Sequence, residues 1–415
     1  MSNAFPTLAS CDQCTNCEAC VNSCNHDALK LTAYSDGFYY PQLNKDKCIG
    51  CMLCERACPI IPKNVKTQNE STKTSSRVYA CWNNNKQIRR ESSSAGAFSA
   101  IAESVINKGG IVYGCAYNDN MEAQHRSIES VDEIHLLRGS KYVQSKIGTT
   151  FKEIRNQLRT NRQVLFVGTP CQVMGLKSYL RKDYDNLLTC DFICHGTPSP
   201  ILFGKYIKWI EKRKNIKVNN FSFRNKKKGW NDPLRVANNS VVMKNDNDVY
   251  YNWFKLAYSM RSSCYACPSL GTVRNSDITL ADYWGIGMHY KLKAKSKIHE
   301  GVSVLMVNSE KAEIVFNELT SISSEERTLE EVLIRNTPMI KSSRRPAERD
   351  SFYLEMEKLS FDSLVDKYYD KSLSSRKTSI LREYFPRFIL INLRRFAQLV
   401  SLHKSGNREL NKHSK

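Results

Sequence analysis

The chain has 415 residues, room for a large core and two or three domains, so its 16 cysteines do not mark a small disulfide-stapled scaffold. The formal charge of +21 is uneven: residues 1–63 hold five Lys/Arg against six Asp/Glu, leaving +22 on the remainder, and residues 371–415 hold eleven basic against two acidic residues. The opening "MSNAFPTLASC" has no basic stretch leading into an apolar run, and no apolar segment reaches the ~18 residues of a membrane span, so a cytoplasmic protein with metal- or redox-active thiols is expected.

From Cys14 the spacing Cys14-x2-Cys17-x2-Cys20-x3-Cys24 recurs as Cys48-x2-Cys51-x2-Cys54-x3-Cys58-Pro59, the intervals of bacterial two-cluster ferredoxins. Three thiolates on one tight loop take three irons of a cubane, and the fourth, carried off on the following turn, reaches the other cubane. Cys14, Cys17, Cys20 and Cys58 are expected to hold one [4Fe-4S] cluster, and Cys48, Cys51, Cys54 and Cys24 the second. Structural zinc also uses four cysteines, but the duplicated x2-x2-x3 pattern is poor zinc-ribbon arithmetic. Between the loops, "ALKLTAYSDGFYYPQLN" reads as strand, Asp36-Gly37 turn and strand. Asn25 stands where the second repeat has Pro59, and Cys11 is surplus, either a substitute ligand or a free surface thiol.

This head, residues 1–63, is followed by a polar linker over 64–77 and a body over 78–353. In the body, strand-like "VYACW", "GGIVYGCAY", "QVLFVGTP", "LLTCDFICHG", "DITLADYWGI" and "VSVLMVN" alternate with helical runs near 95–107, "FKEIRNQLR" and "QVMGLKSYL". The expected architecture is an α+β ferredoxin-like head with two [4Fe-4S] clusters, then an α/β body with a mixed or largely parallel sheet. Cys81 and Cys115 lie in apolar strand-like runs and read as packing residues.

"VGTPCQ" closes a strand and opens a helix, the place where ligands sit in open α/β sheets, and a helix start favours a Cys171 thiolate. Pairing Cys171 with His195 as nucleophile and base leaves "CYAC" at 264–267 unexplained. A third [4Fe-4S] cluster on Cys171, Cys194, Cys264 and Cys267 uses all four thiols. Cys190 rivals Cys194, because strand alternation puts both on one face.

With "SSSAGAFSAIAESVINKGGIVYGCAY", "RGSKYVQS", "FVGTPCQVMGLKSYL", "CDFICHGTPSP" and "RSSCYACPSLGTVRNSDITLADYWGIG", the body resembles the β subunit family of coenzyme F420-reducing hydrogenase and dehydrogenase over about residues 78–353. The resemblance implies an iron–sulfur oxidoreductase subunit with FAD and a cluster in the body, and in some members coenzyme F420 as substrate. The residues have matching chemistry. Ser93, Ser94, Gly96 and Ala97 form a small, hydroxyl-bearing turn before a helix, suited to an anion such as the flavin pyrophosphate; the family commonly has Gly-Gly where this chain has Ala95-Gly96. Arg138 and Lys141 are candidates for phosphate pairing or a charge near flavin N1, Tyr142 and Gln144 for ring contacts, and Gly168 and Thr169 for the ligand position at the strand end. Asp282-Tyr283-Trp284 resembles the family's flavin-side segment, and Asp277 with Asp282 reads as turn caps and charge partners. His195 is the candidate catalytic residue, as proton donor to reduced flavin or its acceptor, or else a hydrogen-bond partner of a cluster sulfide.

The expected function is therefore relay of single electrons through clusters to or from FAD, which exchanges two electrons with a small-molecule acceptor or donor; the alternative is a non-catalytic electron-transfer subunit of a larger redox complex. The basic balance suits an acidic electron carrier as partner. No nucleic-acid-binding motif accompanies it, so nucleic acid is not expected. The tail, 354–415, is expected to be helical and basic; its segment "REYFPRFILINLRRFAQLVSLHK" suits peripheral membrane contact or docking on its own domain.

Overall fold

The computed structural model describes residues 5–61, 76–243, 248–287, 291–293 and 295–369. Residues 64–75 of the expected linker and the basic segment after 369 lie outside them. The described residues up to Tyr368 form one compact unit that includes the head. The helix Arg349–Lys358 runs straight through the expected boundary at 353, and Phe361–Tyr368 follows it; Phe352 packs its ring on Trp253 at 5.1 Å, so these helices belong to the body.

In the head, β1 (Leu29–Ala33) and β2 (Tyr39–Leu43) pair antiparallel from Leu29 opposite Leu43 to Ala33 opposite Tyr39, as the Asp36-Gly37 turn requires. The two cysteine loops share a backbone. Asn16 and Glu18 in the first have φ of 51° and 60°, and Gly50 and Met52 at the same offsets in the second have 68° and 58°. Three of these four are side-chain-bearing residues in the left-handed region, a local strain that persists where a loop must wrap closely.

The body is built on an eight-stranded mixed sheet. Its strands are β3 (Arg77–Asn83), β4 (Ile111–Tyr117), β5 (Ala123–Ile128), β6 (Val164–Val167), β7 (Leu187–Phe192), β11 (Ile278–Asp282), β12 (Ser303–Val307) and β13 (Ile322–Arg327), in the order β13-β3-β12-β11-β7-β6-β4-β5. The central four, β11, β7, β6 and β4, run parallel; every other pairing is antiparallel. The parallel strands are near-continuous apolar runs, as expected where both faces are covered. Helix Ala97–Asn107 and helix Glu310–Glu318 cover one face through Ile101, Val105, Ala312 and Val315. Helices Thr150–Arg159 and Pro170–Leu180 cover the other, and Cys17, Ala19 and Ala57 of the head join that same core. A small antiparallel sheet of β8 (Phe221–Asn225), β9 (Leu234–Ala237) and β10 (Ser240–Met243) stands apart from the main sheet. Among the described residues no helix is long and apolar enough to cross a membrane.

Candidate electron-transfer site

None of the 16 cysteines is in a disulfide. Twelve of them line three cavities in sets of four. In the head, Cys14, Cys17, Cys20 and Cys58 line one with Leu31 and Pro41, and Cys24, Cys48, Cys51 and Cys54 line the other with Leu29 and Leu43. Each set takes its fourth thiol from the opposite loop, which is the crossed pairing that the spacing requires. Burial raises the pKa of Cys17 and Cys20, and neighbouring thiols add to the rise; burial lifts Cys54 to about 11. Packed thiols that oppose one another's ionisation are suited to a cationic iron core, which offsets that repulsion. Cys11 is exposed and lines none of the three.

The body cavity lies at the carboxyl ends of the parallel strands, and three separate segments bring its thiols together. Cys171 stands at the start of helix Pro170–Leu180, where Thr169 and Gln172 make a reciprocal capping box and Pro170 takes the first turn. Cys194 follows the end of β7, while Cys264 and Cys267 come from the 3-10 turn Ser262–Ala266 and the residue after it. Thr169 Oγ1 is 3.1 Å from Cys171 Sγ, the Gly196 amide donates to Cys194 Sγ at 3.4 Å, and Thr197 Oγ1 is 3.7 Å from Cys264 Sγ. Burial pushes the Cys171 thiol up to about 12, against the pull of Thr169, and Cys267 and Cys264 raise it further. Burial likewise raises Cys194 well above the ordinary thiol value, followed by Cys264 and Cys171.

Cys190 is not part of this set. It is 1 % exposed in the apolar core, and its Sγ faces the Asp191 carbonyl at 3.6 Å. β7 ends at Phe192, so the alternation that would place 190 and 194 on one face no longer applies at 194. Cys81 is fully buried in the same core. Among the described residues no three His, Cys, Asp or Glu converge closely enough to hold a single metal ion. A cubane binds each thiolate at a different iron and asks for a wider spacing.

The remaining sequence candidates scatter. Gly168 and Thr169 do not line the cavity: the Gly168 amide donates to Cys190 O at 3.1 Å, and Thr169 meets it only through Cys171 Sγ. His195 stands at the cavity's exposed rim, where burial by its neighbours lowers the imidazole pKa against an upward pull from Asp282. Ser93 accepts from the Ser140 amide at 2.8 Å and Ser94 donates to Val302 O at 3.1 Å, while Gly96 and Ala97 are buried. Arg138 donates to Glu91 at 2.5 Å and to Ser99 Oγ at 3.1 Å. Lys141, expected to meet a phosphate or a flavin, instead directs its ammonium at the carbonyls of Leu136, Leu137 and Arg138. Burial pulls its pKa down to about 8, yet three acceptors match the three donors of an ammonium and keep it charged. Gln144, expected at a ring, is 7 % exposed and donates to Thr15 O in the head. Asp277 is a strand-end clasp that accepts from the Thr189 amide at 2.8 Å and from Ser309 Oγ at 2.8 Å.

Asp282 belongs to a group that the sequence reading missed. It accepts from Trp230 Nε1 at 2.7 Å and pairs with Arg224, whose guanidinium lies over Trp284 at 5.2 Å; the two indoles stack at 4.9 Å. Arg224 Nη2 is buried with no hydrogen-bond partner among the described residues. The aromatic-rich "NFSFRNKKKGW" was the available signal. Arg261 was also missed: fully buried, it donates to Cys14 O at 2.6 Å, Gln144 Oε1 at 2.9 Å and Tyr39 O at 2.9 Å.

Two stretches of the chain match known protein families. Residues 161–331 match the family described as the C terminus of the coenzyme F420 hydrogenase/dehydrogenase beta subunit, and residues 13–60 match the 4Fe-4S dicluster domain. The ferredoxin-type protein NapF of Escherichia coli, strains K12 and O157:H7, is 38% identical over 48 residues, 12% of this chain and 29% of NapF; the match thus spans under a third of that relative's length. A solved structure of the F420-reducing [NiFe] hydrogenase complex from Methanosarcina barkeri aligns with a TM-score of 0.43 at 11% identity, over 70% of this chain and 91% of that one. The head thus contains a stretch similar to a 4Fe-4S dicluster domain, and the body a stretch similar to the C terminus of the coenzyme F420 hydrogenase/dehydrogenase beta subunit.

Proposed function

We propose that the protein is a cytoplasmic iron–sulfur flavoprotein oxidoreductase. It relays single electrons through two head clusters and a third, body cluster to or from FAD, which exchanges electron pairs with a small-molecule acceptor or donor. The observation that carries this reading is the cavity at the strand ends, where thiols from three distant segments, Cys171, Cys194 and the Cys264/Cys267 pair, meet. When bound, the clusters supply one-electron steps and the flavin converts them to two-electron chemistry. The protein's own residues bind the irons, offer hydroxyl and amide donors to the sulfurs, and line the cavity with the apolar Pro170, Leu270 and Met339.

The residues that suit a flavin are Arg224, Asp282, Tyr142 and His195 rather than Lys141. Arg224 is a buried guanidinium, paired with Asp282 and with Nη2 unpaired among the described residues, and a fixed positive charge of that kind stabilises a reduced anionic ring. His195, exposed at the rim of the body cavity, can hold or pass a proton.

Anaerobic purification of the full chain with iron, sulfide and flavin quantification tests the proposal. About twelve irons and one FAD per chain are expected from three cubanes and one flavin. About eight irons would remove the body cluster, and absence of flavin would leave a relay without a two-electron gate. Oxidation of the reduced protein by candidate acceptors, coenzyme F420 among them, then separates an enzyme from a subunit that only passes electrons onward.

A further inference from the structure

The head is attached to the body in one particular order, and its two cysteine sets are not equivalent. Thr15, between Cys14 and Cys17, lines both the Cys14/Cys17/Cys20/Cys58 cavity and the body cavity. Gly175, one turn along the helix that Cys171 opens, lies against Cys17: a Cβ at 175 would stand 2.6 Å from Cys17 Cβ and 2.8 Å from its Sγ. Only the absence of a side chain allows this approach. Arg261, in the segment that carries Cys264, reaches Cys14 O and Tyr39 O and so ties the same loop down. The Cys24/Cys48/Cys51/Cys54 cavity shares no lining residue with the body cavity; Cys51 is exposed and Ile49 beside it is 58% exposed.

We propose that Thr15, Cys17 and Gly175 form the junction of the relay, so that the Cys14/Cys17/Cys20/Cys58 set is the inner station facing the body and the Cys24/Cys48/Cys51/Cys54 set is the outer station that meets an external one-electron carrier. The inference rests on the body cluster of the proposed function. At the junction one electron lost on the head side is gained on the body side, with no bond or proton changing, and the external carrier supplies or removes it. Gly175 is a positioning residue: it sets the gap, and transfer between centres weakens steeply as that gap widens.

The test is electron paramagnetic resonance of the dithionite-reduced full chain, prepared without oxygen. Replacing Cys14→Ser, in the inner set, is expected to abolish the magnetic interaction felt by the body cluster; Cys48→Ser, in the outer set, is expected to leave it. Gly175→Ala removes no thiol and is expected to weaken that interaction while iron stays near the wild-type content, and it carries the test should either cysteine variant lose both head clusters. A body signal that responds to Cys48→Ser and not to Cys14→Ser, or a Gly175→Ala spectrum identical to wild type, overturns the order proposed. Wild-type protein with about eight irons instead of about twelve would overturn the body cluster itself, an outcome distinguishable by metal count before any spectrum is read.

Discussion

His125 stacks on Phe166 at 5.3 Å, with Nε2 3.1 Å from the Val167 carbonyl and Nδ1 3.3 Å from Ser145 Oγ. The carbonyl contact places the proton on Nε2, and burial holds the pKa down to about 4. In the unfolded chain the same imidazole takes a proton near 6.5. Between those values the unfolded state binds more protons, so the neutral-His contribution is complete above about 6.5 and is lost as pH falls through about 4, roughly 3 kcal/mol in all. Urea unfolding of wild type should show stability falling over this window, and His125→Gln should flatten the part of the slope due to this residue. Cysteine variants read the site in the same residue-by-residue way. Cys194→Ser is expected to lower iron from about twelve to about eight per chain, whereas Cys190→Ser, in the apolar core, should leave iron unchanged. Sequence alone left these two thiols open because the deciding fact is where β7 stops, and a strand's end is set by its neighbours.

At the scale of elements, the helix that presents Cys171 depends on its cap. The Thr169 hydroxyl accepts from the Gln172 amide at 3.4 Å while Gln172 Oε1 accepts from the Thr169 amide at 3.0 Å. Thr169→Ala should cost about 1 kcal/mol in chemical denaturation, and Thr169→Ser should recover most of it. Because the same hydroxyl lies 3.1 Å from Cys171 Sγ, the alanine variant should also lower the body cluster's reduction potential, read by redox titration, and serine should restore it. The helix start at "VGTPCQ", the strands β4, β6 and β7, the head hairpin and both cysteine loops were legible beforehand, since each is written in local spacing or an apolar run, whereas the reciprocal cap was not read. The antiparallel β3, β12 and β13 flank were not, because periodicity identifies a strand and not its partner. Arg224 and Arg261 were hidden for a related reason: their partners Asp282 and Cys14 lie 58 and 247 positions away.

At the scale of the molecule, the cysteine spacing and the polar stretch over 64–77 suggested a ferredoxin head on a linker, yet the head is fastened through several buried polar contacts. Glu18 accepts from the Ile147 and Gly148 amides at 2.9 Å each, Asn22 donates to Gly148 O at 2.9 Å, and Ser199 donates to Gly37 O at 2.6 Å. Burial raises the Glu18 pKa and the two amide donors oppose that rise, so the carboxylate is bound by the body rather than merely adjacent to it. Arg261 completes the fastening from the other side, with Phe38 and Tyr40 against its guanidinium at 5.2 and 4.1 Å. A site-specific protease sequence placed within residues 64–75 and then cut should therefore leave the head bound to the body through gel filtration. Arg261→Met deserts three carbonyl-type acceptors at about 1–3 kcal/mol for each one left buried and unpaired. Combined with Glu18→Ala, which strands two amides in the same way, it should release the cut head as a separate iron-containing fragment. Release of the head from cut wild-type protein would instead mean that the covalent connection, and not this buried surface, holds the relay in register.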